Sequence, residues 1–296
     1  MINDVLSIIF GVVSPVAICA LIGFIWAKRG GPFDTDMVTR LVTNVGVPCL
    51  VFSTIVSVEI DKQQFFEMGL AALATNITFL VVGWVILKSL KMSIRTYLNP
   101  IAFANTGNMG LPLCLLAFGE QGLALGIAYF VVNVLLLVTV GISIVSNRYR
   151  PVDVLRQPFI YAAGLSVFFL LSDVPVPDVA QNTTKLLGNF TIPLMLITLG
   201  VSLARLKIAD FRKSSIISGI RLILGLAAGF AVTALMGLTG EARAVVIIMC
   251  AMPVAVITFL LAETYSDDGK PVAGAVVIST LMAFPILPIL IWYLKI

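Results

Sequence analysis

The chain of 296 residues contains no histidine, and only 11% of its residues are charged. Without histidine there is no HExxH zinc site, no serine–histidine dyad and no imidazole proton relay. So little charge cannot cover a soluble domain, and with 59% hydrophobic residues and a mean hydropathy of +1.08 the chain reads as a polytopic membrane protein. The four cysteines, Cys19, Cys49, Cys114 and Cys250, all sit in apolar runs without CxxC spacing, which speaks against a disulfide framework or a zinc site. No two aspartates lie within apolar runs, as an intramembrane aspartyl protease needs, and the one acid cluster, Asp267–Asp268, falls in a loop. These absences remove the enzyme classes. No pore-helix or repeated filter motif of a channel is visible either.

What is present is lipid-soluble helix. A helix crosses the hydrocarbon core with about 20 residues. Cutting at charged and turn-rich breaks predicts ten spans near 5–27, 37–58, 65–87, 98–119, 122–146, 158–172, 186–204, 214–237, 242–264 and 271–294, the sixth being the shortest. The first is expected to be a retained span, because it is too long for a signal-peptide core and lacks a basic leader. Alternate breaks are basic, as in KRGGPFDTD and NRYRPVDVLRQ, and one set of loops holds thirteen lysines and arginines against four in the other. That asymmetry puts the basic loops in the cytoplasm and both termini on the far side of the cell (inner) membrane.

An internal repeat runs through these spans. LVTNVGVPCLVF (41–52) and LLGNFTIPLMLI (186–197) share an asparagine and proline at the same spacing, Asn44–Pro48 and Asn189–Pro193. GLPL (110–113) in the fourth span is matched by AMPV (251–254) in the ninth. An odd number of spans separates each pair, so the expected architecture is all-α, with ten transmembrane helices as two inverted five-helix repeats, 1–150 and 151–296.

The polar stretch NTGNMGLPL (105–113) gathers six unusual residues in eight positions of an otherwise apolar span. Proline removes a backbone donor and glycine weakens the helix, so the fourth span is expected to unwind over Gly107–Pro112 and the ninth near Met252–Pro253. Asn105, Thr106 and Asn108 would line the resulting cavity, and half-helix N-termini would favour an anion there. Proline 48 and 193, each with one asparagine, read equally as simple bends. Asn133 is alone in the fifth span and needs a cavity or a partner, as site or as interhelical glue. GLALG (122–126) and GLAAG (225–229) read as close-packing patches. Arg40, Glu67 and Arg221 lie within a few residues of span ends and are expected to snorkel to the interface, and Glu263 is kept as a gating candidate.

These residues carry a resemblance. NTGNMGLPL, the asparagine-bearing fifth span and AMPVAVITFLLAETY (251–265) resemble the auxin efflux carrier family, which includes the plant PIN proteins and belongs with the bile-acid, arsenite and riboflavin transporters. The short loop at 147–157 is similar to that of the family's bacterial branch. The resemblance implies a scaffold of spans 1, 2, 6 and 7, often dimeric, and a transport domain of spans 3–5 and 8–10 whose broken fourth and ninth helices cross. It implies elevator-like alternating access for organic anions, auxin in plants and dicarboxylates such as malate or malonate in bacterial relatives. Carried over residue by residue, Asn105 matches the family's substrate-contacting asparagine, Asn133 its polar position in span five, and Pro112 and Pro253 its crossing prolines. Thr106, Asn108, Met109 and Val256 are expected as further substrate contacts and Gly110 at the crossing, with no metal, cofactor or nucleic acid. Val51 and Val254 replace a serine and a glutamine of plant members, which speaks against auxin itself. A sodium-coupled symporter of the bile-acid type, and a channel or sensor, are the competing readings.

Overall fold

The computed structural model describes residues 9–58, 61–148, 155–172, 174–266 and 269–295. The acid pair Asp267–Asp268, Arg150 and the first four residues of the predicted first span lie outside them. The described chain is helical, with one isolated antiparallel bridge and no strand.

Helix occupies all ten predicted segments, starting where polar caps precede apolar runs. After a π turn at Ile9–Val13, α1 spans Ser14–Lys28; α2 (Thr35–Leu41) passes through a π turn at Val42–Gly46 into α3 (Val47–Ser57). Asp34 opens α2 by accepting the Met37 N–H at 2.9 Å, and Asp61 opens α4 (Lys62–Ser89) by accepting that of Gln63 at 3.1 Å. Ser93 caps α5 (Ile94–Ala102), which stops short. A π turn at Thr106–Gly110 leads into α6 (Leu111–Leu136), and another at Leu137–Gly141 into α7 (Ile142–Ser146). The second half holds α8 (Pro158–Ser172), α9 (Asp178–Asn189), α10 (Thr191–Arg205), α11 (Phe211–Leu235), α12 (Gly240–Ala251), α13 (Val256–Tyr265) and α14 (Lys270–Lys295).

Among the described residues, seven helical stretches are long and apolar enough to cross a membrane, and α8 and α13 are shorter apolar helices. The count differs from ten for physical reasons. Residues 106–146 run as one helical stretch that folds back at Gly119, whose φ of 66° and ψ of −158° suit glycine and strain a residue bearing a Cβ. The fourth and ninth segments are each interrupted, and α8 has only 15 residues.

Three of the four described π turns precede a proline; the one at Leu137–Gly141 does not. Pro15, Pro48 and Pro112 each stand second in an α-helix that directly follows a five-residue π turn. A widened i→i+5 turn moves the preceding carbonyls away from the pyrrolidine ring, so the helix continues past a residue that cannot itself donate.

Two packing groups result. In the first, α1 lies against α10, and α3 against α8 and α9. In the second, α4, α5, α6, α11, α12 and α14 pack on one another. The α1–α10 contact is backbone on backbone: a Cβ on Gly23 would lie 2.0 Å from the Ile197 carbonyl oxygen, and one on Gly200 would lie 1.7 Å from that of Ala20. GLALG and GLAAG are packing patches, as their small-residue spacing predicts. Gly126 admits the Met249 Cε, and a Cβ on Gly225 would lie 2.2 Å from the Cys250 carbonyl oxygen.

Replacing Gly200 with valine should force α1 and α10 apart and lower the melting temperature in detergent by about 5 °C or more. Gly164→Ala, where a Cβ meets nothing within 4 Å, should leave it unchanged; equal melting temperatures for both variants would contradict the contact.

Candidate functional site

The two interrupted helices meet inside the second packing group. α5 ends at Ala102, and Phe103 leaves it extended with φ −104° and ψ 109°. α12 ends at Ala251, and Met252 leaves it extended with φ −62° and ψ 145°. The two loose segments then pair. Asn105 N–H donates to the Pro253 carbonyl at 2.8 Å, Ala255 N–H donates to that of Phe103 at 3.3 Å, and Ala104 opposes Val254 in an antiparallel bridge. The Val254 N–H, pointing the other way, donates to Ser279 Oγ on α14 at 3.1 Å. Backbone freed from helix in an apolar interior costs several kcal/mol per unsatisfied group, and here it finds partners at once.

The carbonyls at the two helix C-termini go to one side chain, Arg221 of α11. Nη1 donates to Ile101 O at 2.7 Å and to Ala102 O at 3.3 Å, Nε donates to Met252 O at 3.2 Å, and Nη2 donates to Cys250 O. The guanidinium also lies 4.4 Å from the Phe79 ring centroid. This corrects the expectation that Arg221 snorkels. It stands ten residues past the start of α11, about 15 Å along the axis, and is 0% exposed. A side chain cannot reach the interface from there, and the four carbonyls it bonds at the helix ends give it a better environment than lipid. The signal was available in its depth within the span, since a charge placed that deep is functional by default. Ser279 gave no comparable signal.

The N-terminal ends lie on the other side of the break. The π turn beginning at Thr106 and α13 beginning at Val256 each start two residues past the bridge. Around them the structure assembles most of the polar residues expected there. Asn133 Nδ2 donates to Thr106 Oγ1 at 3.0 Å, so the asparagine alone in its span finds its partner in the fourth. Asn105 is 5% exposed, and its Nδ2 has no hydrogen-bond partner. Asn108, within the π turn, and Val256, the first residue of α13, are half-buried. Met109 is fully buried within the core.

The fourth span unwinds earlier than Gly107–Pro112. Its break is Phe103–Asn105, because the π turn at Thr106–Gly110 accommodates Pro112 without unwinding. Pro112 therefore stands beyond the crossing, in the first turn of α6. Gly110 flanks the crossing instead, admitting Met249 Sδ and Met252 Cγ where a Cβ would lie 2.7 and 3.4 Å away. The ninth span breaks where predicted, and Pro253 supplies the carbonyl that accepts from Asn105. The first packing group closes over the π turn: Met195 Cε of α10 would meet a Cβ on Gly107 at 3.3 Å, and Phe130 lies 6.4 Å from Phe159 of α8. Among the described residues no cluster of His, Cys, Asp or Glu could hold a metal ion.

A paired break in two membrane helices is the geometry of a solute carrier, and comparison with known proteins decides the family. The family model described as a membrane transport protein matches residues 8–155 and 148–291. The chain belongs to this family, that of the auxin efflux carriers. Among the relatives of this carrier is an uncharacterized transporter of Methanocaldococcus jannaschii, 28% identical over 302 residues and covering 95% of this chain and 96% of that protein. An uncharacterized transporter of Methanothermobacter thermautotrophicus is 25% identical over 292 residues, covering 93% and 94%.

Ser279→Ala would strand the buried Val254 N–H, at about 1–3 kcal/mol. Thermal unfolding in detergent should show a melting temperature several degrees lower. An unchanged value would mean that the bridge does not depend on α14.

Proposed function

We propose that this protein is a secondary transporter of small organic anions, mono- or dicarboxylates, working by elevator-like alternating access. The observation that carries the reading is Asn105: a buried amide donor without a partner, beside two half-helix N-termini. Buried donors are normally satisfied, so one left open at a positive dipole end is matched to an acceptor from outside the chain. A carboxylate fits, with Thr106, Asn108, Asn133 and Val256 as the neighbouring contacts. Both relatives bear the name transporter.

The same reading organises the chain as two inverted five-helix repeats, 1–150 and 151–296, making ten crossings with both termini outside the cell (inner) membrane. Matching of the family model to two successive stretches supports it, as do interrupted helices at corresponding places in the halves. The division into two packing groups supports a moving domain carried past a scaffold built on α1, α3, α8 and α10. That scaffold is also where a homodimer would form. At the crossing, valine at 254 is fully buried and offers no side-chain hydrogen bond, so compact carboxylates suit the site better than an aromatic acid.

In proteoliposomes, labelled dicarboxylate uptake should saturate and exchange in counterflow, with indole-acetate a poor competitor. Asn105→Ala should cut uptake by about 10- to 100-fold, the worth of a hydrogen bond to a charged group. Wild-type flux from that variant would remove Asn105 from the site, and non-saturable flux would favour a channel.

A further inference from the structure

The crossing contains a cation ligand set whose cation belongs to the chain. In broken-helix carriers, unwound carbonyls and the C-terminal ends of half-helices are where a coupling ion is held. The corresponding oxygens here, those of Ile101, Ala102, Cys250 and Met252, all accept from the Arg221 guanidinium. The ionisable groups beside it are Cys250 and Tyr129, joined to each other and to Thr75 by hydrogen bonds. No ion pair to Arg221 occurs among the described residues, so carbonyl dipoles alone balance its charge. Gly225 makes room, since a Cβ there would lie 3.3 Å from Nη2, and the Phe79 ring closes the remaining face.

We propose that Arg221 is a tethered cation occupying the place of a coupling ion, so that transport runs without sodium. A guanidinium is charged throughout the physiological range and spreads its donors in a planar fork. It can therefore hold two helix ends together, which a lysine ammonium, with three donors clustered on one nitrogen, does less well. A free sodium ion would have to displace it from the same oxygens against like-charge repulsion. Arg221 is thus a positioning residue, acting through the two helix ends. The term coupling rests on the carrier reading above; the occupancy of the oxygens does not.

The test is thermal unfolding of purified protein in sodium, potassium or choline chloride at equal ionic strength, without substrate, so that its failure is separate from failure of the anion-transport reading. Wild type should melt within about 1 °C in all three salts, and its carboxylate uptake should be the same in sodium-free buffer. Arg221→Ala should be destabilised and regain about 3 °C or more with tens of millimolar methylguanidinium or sodium, but not choline. Arg221→Lys should recover only part of the loss. Saturable stabilisation of wild type by sodium, or sodium-dependent uptake, would overturn the proposal even if no variant could be purified. An Arg221→Ala protein that folds yet ignores every small cation would overturn it as well, since the side chain would then be only a packing staple.

Discussion

Peptide groups cannot be left unpaired in lipid, and every feature of the centre of this protein follows from that constraint. Each interrupted helix frees donors and acceptors within the membrane, at several kcal/mol apiece if they stay unpaired. The two interruptions solve the problem by meeting. Their extended segments pair at Ala104 and Val254, Ser279 takes the N–H that points away, and Arg221 takes the carbonyls. Neither break is tolerable alone, which ties the fourth span of one half to the ninth of the other.

The electrostatic consequence is an asymmetry at the crossing. A helix end carries roughly half an elementary charge. Arg221 neutralises the negative C-terminal ends of α5 and α12, whereas the positive N-terminal ends at Thr106 and Val256 meet only neutral side chains. The crossing therefore presents net positive potential next to an amide with a spare donor. On the transport reading proposed above, that potential is what holds an anionic substrate at the crossing.

Legibility in the sequence followed the strength of the physical constraint. Lipid thickness and interfacial charge bound helix ends tightly, so helix occupies each of the ten predicted segments, including the 15-residue helix at Pro158–Ser172. The GLALG and GLAAG patches announced close packing, which Gly126 and Gly225 make against Met249 and the Cys250 carbonyl. The polar run at 105–108 announced its buried neighbourhood, and Asn133 was found beside it. The exact break escaped, since a proline can end a helix or widen it into a π turn, and residue identity alone does not choose between them. Arg221 differs: its depth in the span marked it as unusual, but its ligands are backbone carbonyls, so the residue types around it do not say what it holds.

The central claim is that the broken helices enclose a wet pocket that selects negative solutes and opens to each side of the membrane in turn. It is tested most directly by placing a cysteine at the half-buried position 108, in a chain without its four native cysteines, and measuring its modification by charged thiol reagents. The account predicts faster reaction with anionic methanethiosulfonates than with cationic ones, from either side of the bilayer, and slowing by a transported carboxylate. Preference for the cationic reagent, or no reaction from either side, would contradict it.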